Sequence, residues 1–150
     1  MKTRIAVFCF LSLSLLGCKK DDSGTQPTQA TPPPTELVAT WIFQSATVAG
    51  SPAPLSDVLN WEAASVSANF TVSPTGGYAY REVDGAGATT FSSSGTITIT
   101  ATGFTIVVNN VGGTPIPPQT LSGTWSLNGS LLSLTASIGG QTVVLVAAKQ

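Results

Sequence analysis

Polar and apolar residues alternate along most of the chain beyond residue 65. Val66, Ala68, Phe70 and Val72 are separated by Ser67, Asn69 and Thr71, the period of two that gives a strand one buried and one wet face. Ile97 and Ile99 alternate with Thr96, Thr98 and Thr100, and beyond Thr102-Gly103 the pattern returns through Phe104, Ile106 and Val108. That return predicts a hairpin. Leu121, Gly123, Trp125 and Leu127 form another apolar face, and Leu132, Leu134 and Ala136 follow it. Asn128-Gly129 between them predicts a tight type I′ turn, because both residues accept positive φ. Gly139-Gly140 turns the backbone again into Thr142 to Ala148. There Val143-Val144-Leu145-Val146 lacks alternation and predicts burial on both sides.

Earlier strands are expected over Leu37–Thr47 and Tyr78–Val83, the latter bracketed by the turn sequences Pro74-Thr75-Gly76-Gly77 and Asp84-Gly85-Ala86-Gly87. Ser51 to Ala64 interrupts the series. Leu55, Val58, Leu59 and Glu62 fall there at helical spacing after two prolines, which predicts a short helix. Eight strands result, and antiparallel strands in sequence leave two open edges unless the sheet closes. The expected fold is therefore all-β, a small eight-stranded antiparallel up-and-down barrel, with a two-sheet sandwich as competitor. Short links favour a meander over a Greek key, and only Val111 to Gln119, with Pro115, Pro117 and Pro118, is long enough for a return connection.

The chain begins differently. Lys2 and Arg4 precede an apolar run from Ile5 to Leu16, too short for a permanent bilayer span and read as a helical export signal over residues 1–17. Leu15-Leu16-Gly17-Cys18 resembles the lipobox of bacterial lipoproteins. The resemblance implies that Cys18 is acylated by palmitate-type chains and becomes the mature N-terminus. Several chains anchor durably where one, at about 0.8 kcal/mol per buried CH₂, is marginal. Residues 18–35 then read as a disordered tether: Lys19-Lys20-Asp21-Asp22, then a stretch rich in threonine and proline ending in Pro32-Pro33-Pro34. The lysine and aspartate patch resembles the sorting signal of some Gram-negative surface lipoproteins. The expected location is the outer membrane, with its outer face as one of two alternatives that the sequence does not separate.

Residues 36–150 carry a second resemblance. Thr40-Trp41, Phe70-Thr71-Val72 with Gly76-Gly77-Tyr78, and Gly123-Thr124-Trp125-Ser126-Leu127-Asn128-Gly129 followed by Leu131-Leu132-Ser133-Leu134 look like the small lipocalin-like domains of bacterial lipoproteins. In that family a Trp opens the first strand and a Gly-x-Trp-x-Leu hairpin comes late. Ala39 departs from the pattern, since a Gly often stands two residues before that Trp. The resemblance implies a barrel whose open mouth takes a small hydrophobic ligand.

Composition narrows the chemistry. The formal charge of −1 becomes −3 when Lys2 and Arg4 leave with the signal, so nothing attracts nucleic acid. The chain has no histidine, and its two cysteines are Cys9 in the signal and Cys18. The folded part thus lacks the commonest general base and the commonest metal ligand, and has no thiol. No metal, cofactor or catalytic residue is expected, and the oligomeric state is not encoded. Glu82 and Asp84 sit two apart, the spacing that puts a carboxylate pair on one strand face for glycoside hydrolysis. The simpler reading is that Asp84 opens an Asp-Gly turn and Glu82, beside Arg81, is a solvated charge. Of the aromatics that could line a pocket, Trp41, Trp61, Phe70, Tyr78, Tyr80, Phe91, Phe104 and Trp125, each is expected in the core, with Trp41 and Trp125 packing the closed end. Two functional expectations follow. The first is a non-enzymatic, lipid-anchored envelope protein whose barrel binds a small hydrophobic ligand; the alternative is a surface interaction or adhesion module with a filled core, acting through its Thr- and Ser-rich faces or the proline segment.

Overall fold

A computed structural model describes residues 32–150. Cys18, the segment expected to be an export signal and most of the expected tether lie outside the described residues. A single 3-10 turn at Thr35–Leu37 leads into β1 (Ala39–Val48), β2 (Ser51–Ala53), α1 (Leu55–Val58), β3 (Ser67–Val72), β4 (Gly77–Val83), β5 (Thr89–Ile99), β6 (Gly103–Val111), β7 (Thr114–Asn128), β8 (Leu131–Ile138) and β9 (Gln141–Lys149). All pairings are antiparallel between neighbours, and β1 also pairs with β9 from Trp41↔Lys149 to Val48↔Val143. The sheet therefore closes into an eight-stranded up-and-down barrel of β1 and β3–β9, with β2 as a short extra strand on the upper half of β1. Closure removes both edges that a meander would leave open.

One end of the barrel, the base, holds the turns after β3, β5 and β7 together with the entering 3-10 turn and the last residues of β9. It is densely filled by Leu37, Trp41, Val72, Ile97, Ile99, Phe104, Leu132 and Ala147, all buried. Trp41 is fully buried, and its Nε1 donates to the Leu37 carbonyl at 3.0 Å. Lys149 Nζ lies 5.8 Å above the same ring and donates to the Glu36 carbonyl. Trp125 is half-buried at this end, its Nε1 donating to the Thr100 carbonyl. Leu37, expected as the first strand residue, belongs instead to the 3-10 turn that plugs the base, and Pro33 before it is already buried.

Several expectations are corrected by the geometry. Val111 to Gln119 is no return loop: Gly112 and Gly113, with φ +58° and +83°, make a two-residue turn, and the prolines belong to β7. The register slips between Val108↔Gln119 and Asn110↔Pro115. Pro117 and Pro118 fall in that bulge, where a residue without an N–H breaks no ladder bond. The β7–β8 turn is centred one residue later than expected, on Gly129-Ser130, because Asn128 pairs with Leu131 and Gly129 alone has positive φ. That is the glycine-first pattern of a type II′ turn. Val143 to Val146 is not buried on both sides: Val143 and Ala147 are buried inward, while Val144 and Val146 pair with Thr135 and Ser133 on the half-buried outer face. The helix shortens to α1, since Ser51–Ala53 is spent on β2.

Two glycines are fixed by close strand approach. A Cβ on Gly95 meets the Val107 carbonyl oxygen, and one on Gly123 meets the Thr135 carbonyl oxygen and the Phe104 ring, all inside contact distance. Backbone oxygens cannot rotate away, so Gly95→Ala or Gly123→Ala should cost about 3 kcal/mol or more through forced overpacking. Urea unfolding measures this; a loss below about 1 kcal/mol contradicts the strand register around these positions.

Candidate functional site

The opposite end of the barrel is less completely paired. β1 meets β3 only from Ala39↔Val72 to Ile42↔Asn69, and β7 meets β8 only from Gly123↔Ala136 to Asn128↔Leu131. The chain between β1 and β3 covers the first opening. It pairs as β2 with β1, turns through α1, and packs Leu55, Leu59 and Trp61 against the core. No residue from Ala49 to Val66 is buried. The two non-glycine residues with positive φ among the described residues, Ala49 and Asn60, both at φ 50°, lie in this stretch. For Ala49 that left-handed conformation costs about 1 kcal/mol, whereas Asn tolerates it.

Beneath this lid lies an apolar cavity of about 90 Å³, lined by Phe43, Leu59, Phe70, Tyr78, Tyr80, Phe104, Ile106, Leu121, Leu134, Ala136, Ile138, Val143 and Leu145. Every one of the nine aromatic rings among the described residues is in the core or packs against it. Phe43 lies tilted against Phe70 and Tyr80, with ring centroids 5.2 Å and 6.3 Å apart, and Tyr80 meets Phe91 edge-on at 6.0 Å. A drug-sized ligand occupies roughly 300–1,000 Å³, and an engineered apolar cavity of about 150 Å³ admits benzene. The closed barrel has room for only a handful of carbon atoms.

Glu82 is the one buried charged residue among the described residues, 2% exposed. The expectation of a solvated charge is corrected. On β4 it shares the inward face with Tyr78 and Tyr80, whereas Arg81 points outward to Thr89 and the Gly87 carbonyl. The Tyr80 hydroxyl donates to Glu82 Oε1 at 2.9 Å; the Glu62 backbone N–H at 2.9 Å and the Ser65 hydroxyl at 2.8 Å both donate to Oε2. Ser65 also shares a 2.6 Å hydrogen bond with Thr90. Three donors on two oxygens suit a carboxylate, which only accepts. Bonds to a charged group contribute about 1.5–3 kcal/mol each, so Glu82 holds the end of the lid to β4.

Asp84 goes elsewhere. Its Oδ1 accepts from the Ala86 and Ala88 N–H groups and closes the β4–β5 turn, as the Asp-Gly sequence predicts. Glu82 and Asp84 are thus not brought together as a carboxylate pair. Asp57 and Glu62 are exposed on the lid, and Glu36 is exposed at the base. Among the described residues no group of acidic or sulfur side chains is placed to hold a metal. Sequence reasoning missed Glu82, Ser65 and Leu59 as parts of one site. The available signal was the period of two: if Tyr78 and Tyr80 face inward, so must Glu82. On the lid, Trp61 Nε1 is buried without a partner, approaching the Tyr80 hydroxyl outside hydrogen-bond geometry. An unsatisfied donor of this kind costs about 1–3 kcal/mol.

Comparison with family descriptions, with curated proteins and with solved structures found no match.

The chain has two tyrosines, Tyr78 and Tyr80. Burial pushes both phenols up, opposed for Tyr78 by a hydrogen bond with Ser93 and reinforced for Tyr80 by Glu82. A folded-state value above the unfolded one, near 10, stabilises the fold fully below that pH and is lost as pH rises through the folded value. Ultraviolet titration should therefore show no phenolate in the native protein near pH 10, then release of both phenolates together on alkaline unfolding. Ordinary titration of either tyrosine near pH 10 with the fold intact contradicts their placement.

Proposed function

We propose that this is a lipid-anchored protein of the cell envelope, held in the outer membrane by an acylated Cys18, whose lipocalin-like barrel binds one small hydrophobic ligand beneath its lid. The observation that carries the ligand reading is the apolar cavity of about 90 Å³ in a barrel whose base is otherwise filled. A void in a close-packed interior forfeits dispersion contacts, and an apolar one is a poor site for water. The anchor rests on the lipobox-like sequence before Cys18 and on the polar run after it. The described end of the tether, residues 32–34, meets the barrel at its base, the end opposite the lid.

The second reading is an interaction or adhesion module. One observation favours it: from Gly85 to Ala148 the chain carries no charged side chain. Outward hydroxyls there align across strands, as in Thr98–Thr105–Ser122, with Thr105 and Ser122 3.0 Å apart. No aromatic ring among the described residues faces outward to stack on a sugar, which weakens the glycan version.

Titrating the full chain in detergent with apolar probes graded in size from benzene to long-chain fatty acids, read by Trp fluorescence, separates the two. Saturable binding confined to the smallest probes is expected; no binding by any probe, with protease removing the domain from intact cells, favours the interaction module. Cys18→Ser should move the protein from the membrane to the soluble fraction, and retention in the membrane contradicts the anchor.

A further inference from the structure

We infer that the ligand is a small amphiphile with a hydrogen-bond-donating, positively charged head, and that Glu82 recognises this head once the lid releases it. The inference rests on the cavity reading above and names the chemistry of that same site. Tyr80 lines the cavity and is hydrogen-bonded at 2.9 Å to Glu82, so the carboxylate lies one side chain from the apolar void. A buried carboxylate loses its hydration, which its three hydrogen bonds must offset, and an apolar replacement is often neutral or better for stability alone.

The donors that satisfy Oε2 come entirely from the segment before β3: the Glu62 N–H and the Ser65 hydroxyl. That segment is the part of the fold suited to local opening. No residue from Ala49 to Val66 is buried, Ala49 holds a left-handed backbone, and Trp61 buries an N–H without an acceptor. Stretches with few buried contacts open at low cost relative to the core. When the segment lifts, Leu59 leaves the cavity wall, Trp61 Nε1 reaches water, and Glu82 Oε2 loses two donors. A ligand amine replaces both donors with a charged one, while its apolar tail takes the space that Leu59 bounded. A carboxylate head meets like charge at the same place and is rejected. Fatty acids are therefore the wrong class.

The test uses the full chain in detergent and three probes that share a tail: hexylamine, hexanol and hexanoate. Hexylamine should bind about tenfold or more tighter than hexanoate, with hexanol between them. Glu82→Gln should remove the difference between amine and alkanoate. Because that variant also weakens the lid contact, Ser65→Ala is the second probe: it removes one competing donor, keeps the charge, and should tighten all three ligands by a common factor of a few-fold. Equal binding of hexylamine and hexanoate to the unaltered protein overturns the head-group assignment and leaves the cavity standing. Affinities unchanged by Ser65→Ala overturn the lid. Failure of all three probes to bind overturns the cavity reading itself, along with the inference built on it.

Discussion

Closure of the sheet through the β1–β9 ladder is the constraint from which the rest of the structure follows. With seven pairs from Trp41↔Lys149 to Val48↔Val143, the first and last strands of the barrel share their backbone hydrogen bonds, and the interior becomes a cylinder that side chains must fill. At the base they do so, with Trp41, Ile97, Ile99, Phe104 and Leu132 packed from facing strands. Eight strands leave an interior only just wide enough for such filling. The bulges at Phe43/Ser45, Ser94/Gly95 and Val108/Asn110 bend the strands enough to close the circle. Gly95 and Gly123 let neighbouring backbones approach where a Cβ has no room.

The same closure explains the weak places. Strands of unequal length cannot pair along their whole extent, so β1 parts from β3 and β7 parts from β8 at the end opposite the base. The first opening is covered by the segment carrying Leu55, Leu59 and Trp61. The second exposes the first half of β7, where Pro115, Pro117 and Pro118 deny an incoming strand the N–H groups it needs. Prolines that look like a loop in the sequence thus protect an edge.

The eight barrel strands were legible because several carry inward residues at a period of two, as in Phe70 and Val72 or Ile97 and Ile99, and glycine-rich turn sequences bracket the others. What misled was local chemistry that tertiary context reinterprets. The prolines of β7 read as a loop because nothing in one strand announces that its partner, β6, will tolerate a bulge. Asn128-Gly129 marked the right hairpin but the wrong centre, since the register is set by which face Leu127 and Leu132 must bury. Val143 to Val146 looked buried on both faces because valine also suits the outer surface beside Thr135 and Ser133. Glu82 was misread by weighing its neighbour Arg81 above Tyr78 and Tyr80, which share its face of the same strand. Its donors from the lid, Glu62 and Ser65, lie in the one segment without strand alternation, where helical spacing says nothing of which residues meet β4, so the site was not legible. The cavity could not be read from sequence either, since it is a residue of packing volumes.

An interior that is sealed by β1–β9 pairing, filled at one end and incompletely filled under a lid at the other is the central claim. Nuclear Overhauser contacts between backbone protons of β1 and β9 test it most directly. The account predicts cross-strand contacts linking Phe43 with Ala147 and Thr47 with Val144, with slow amide exchange along both strands. Absence of those contacts, with β1 and β9 exchanging as two free edges, would contradict it in favour of an open sheet or a two-layer sandwich.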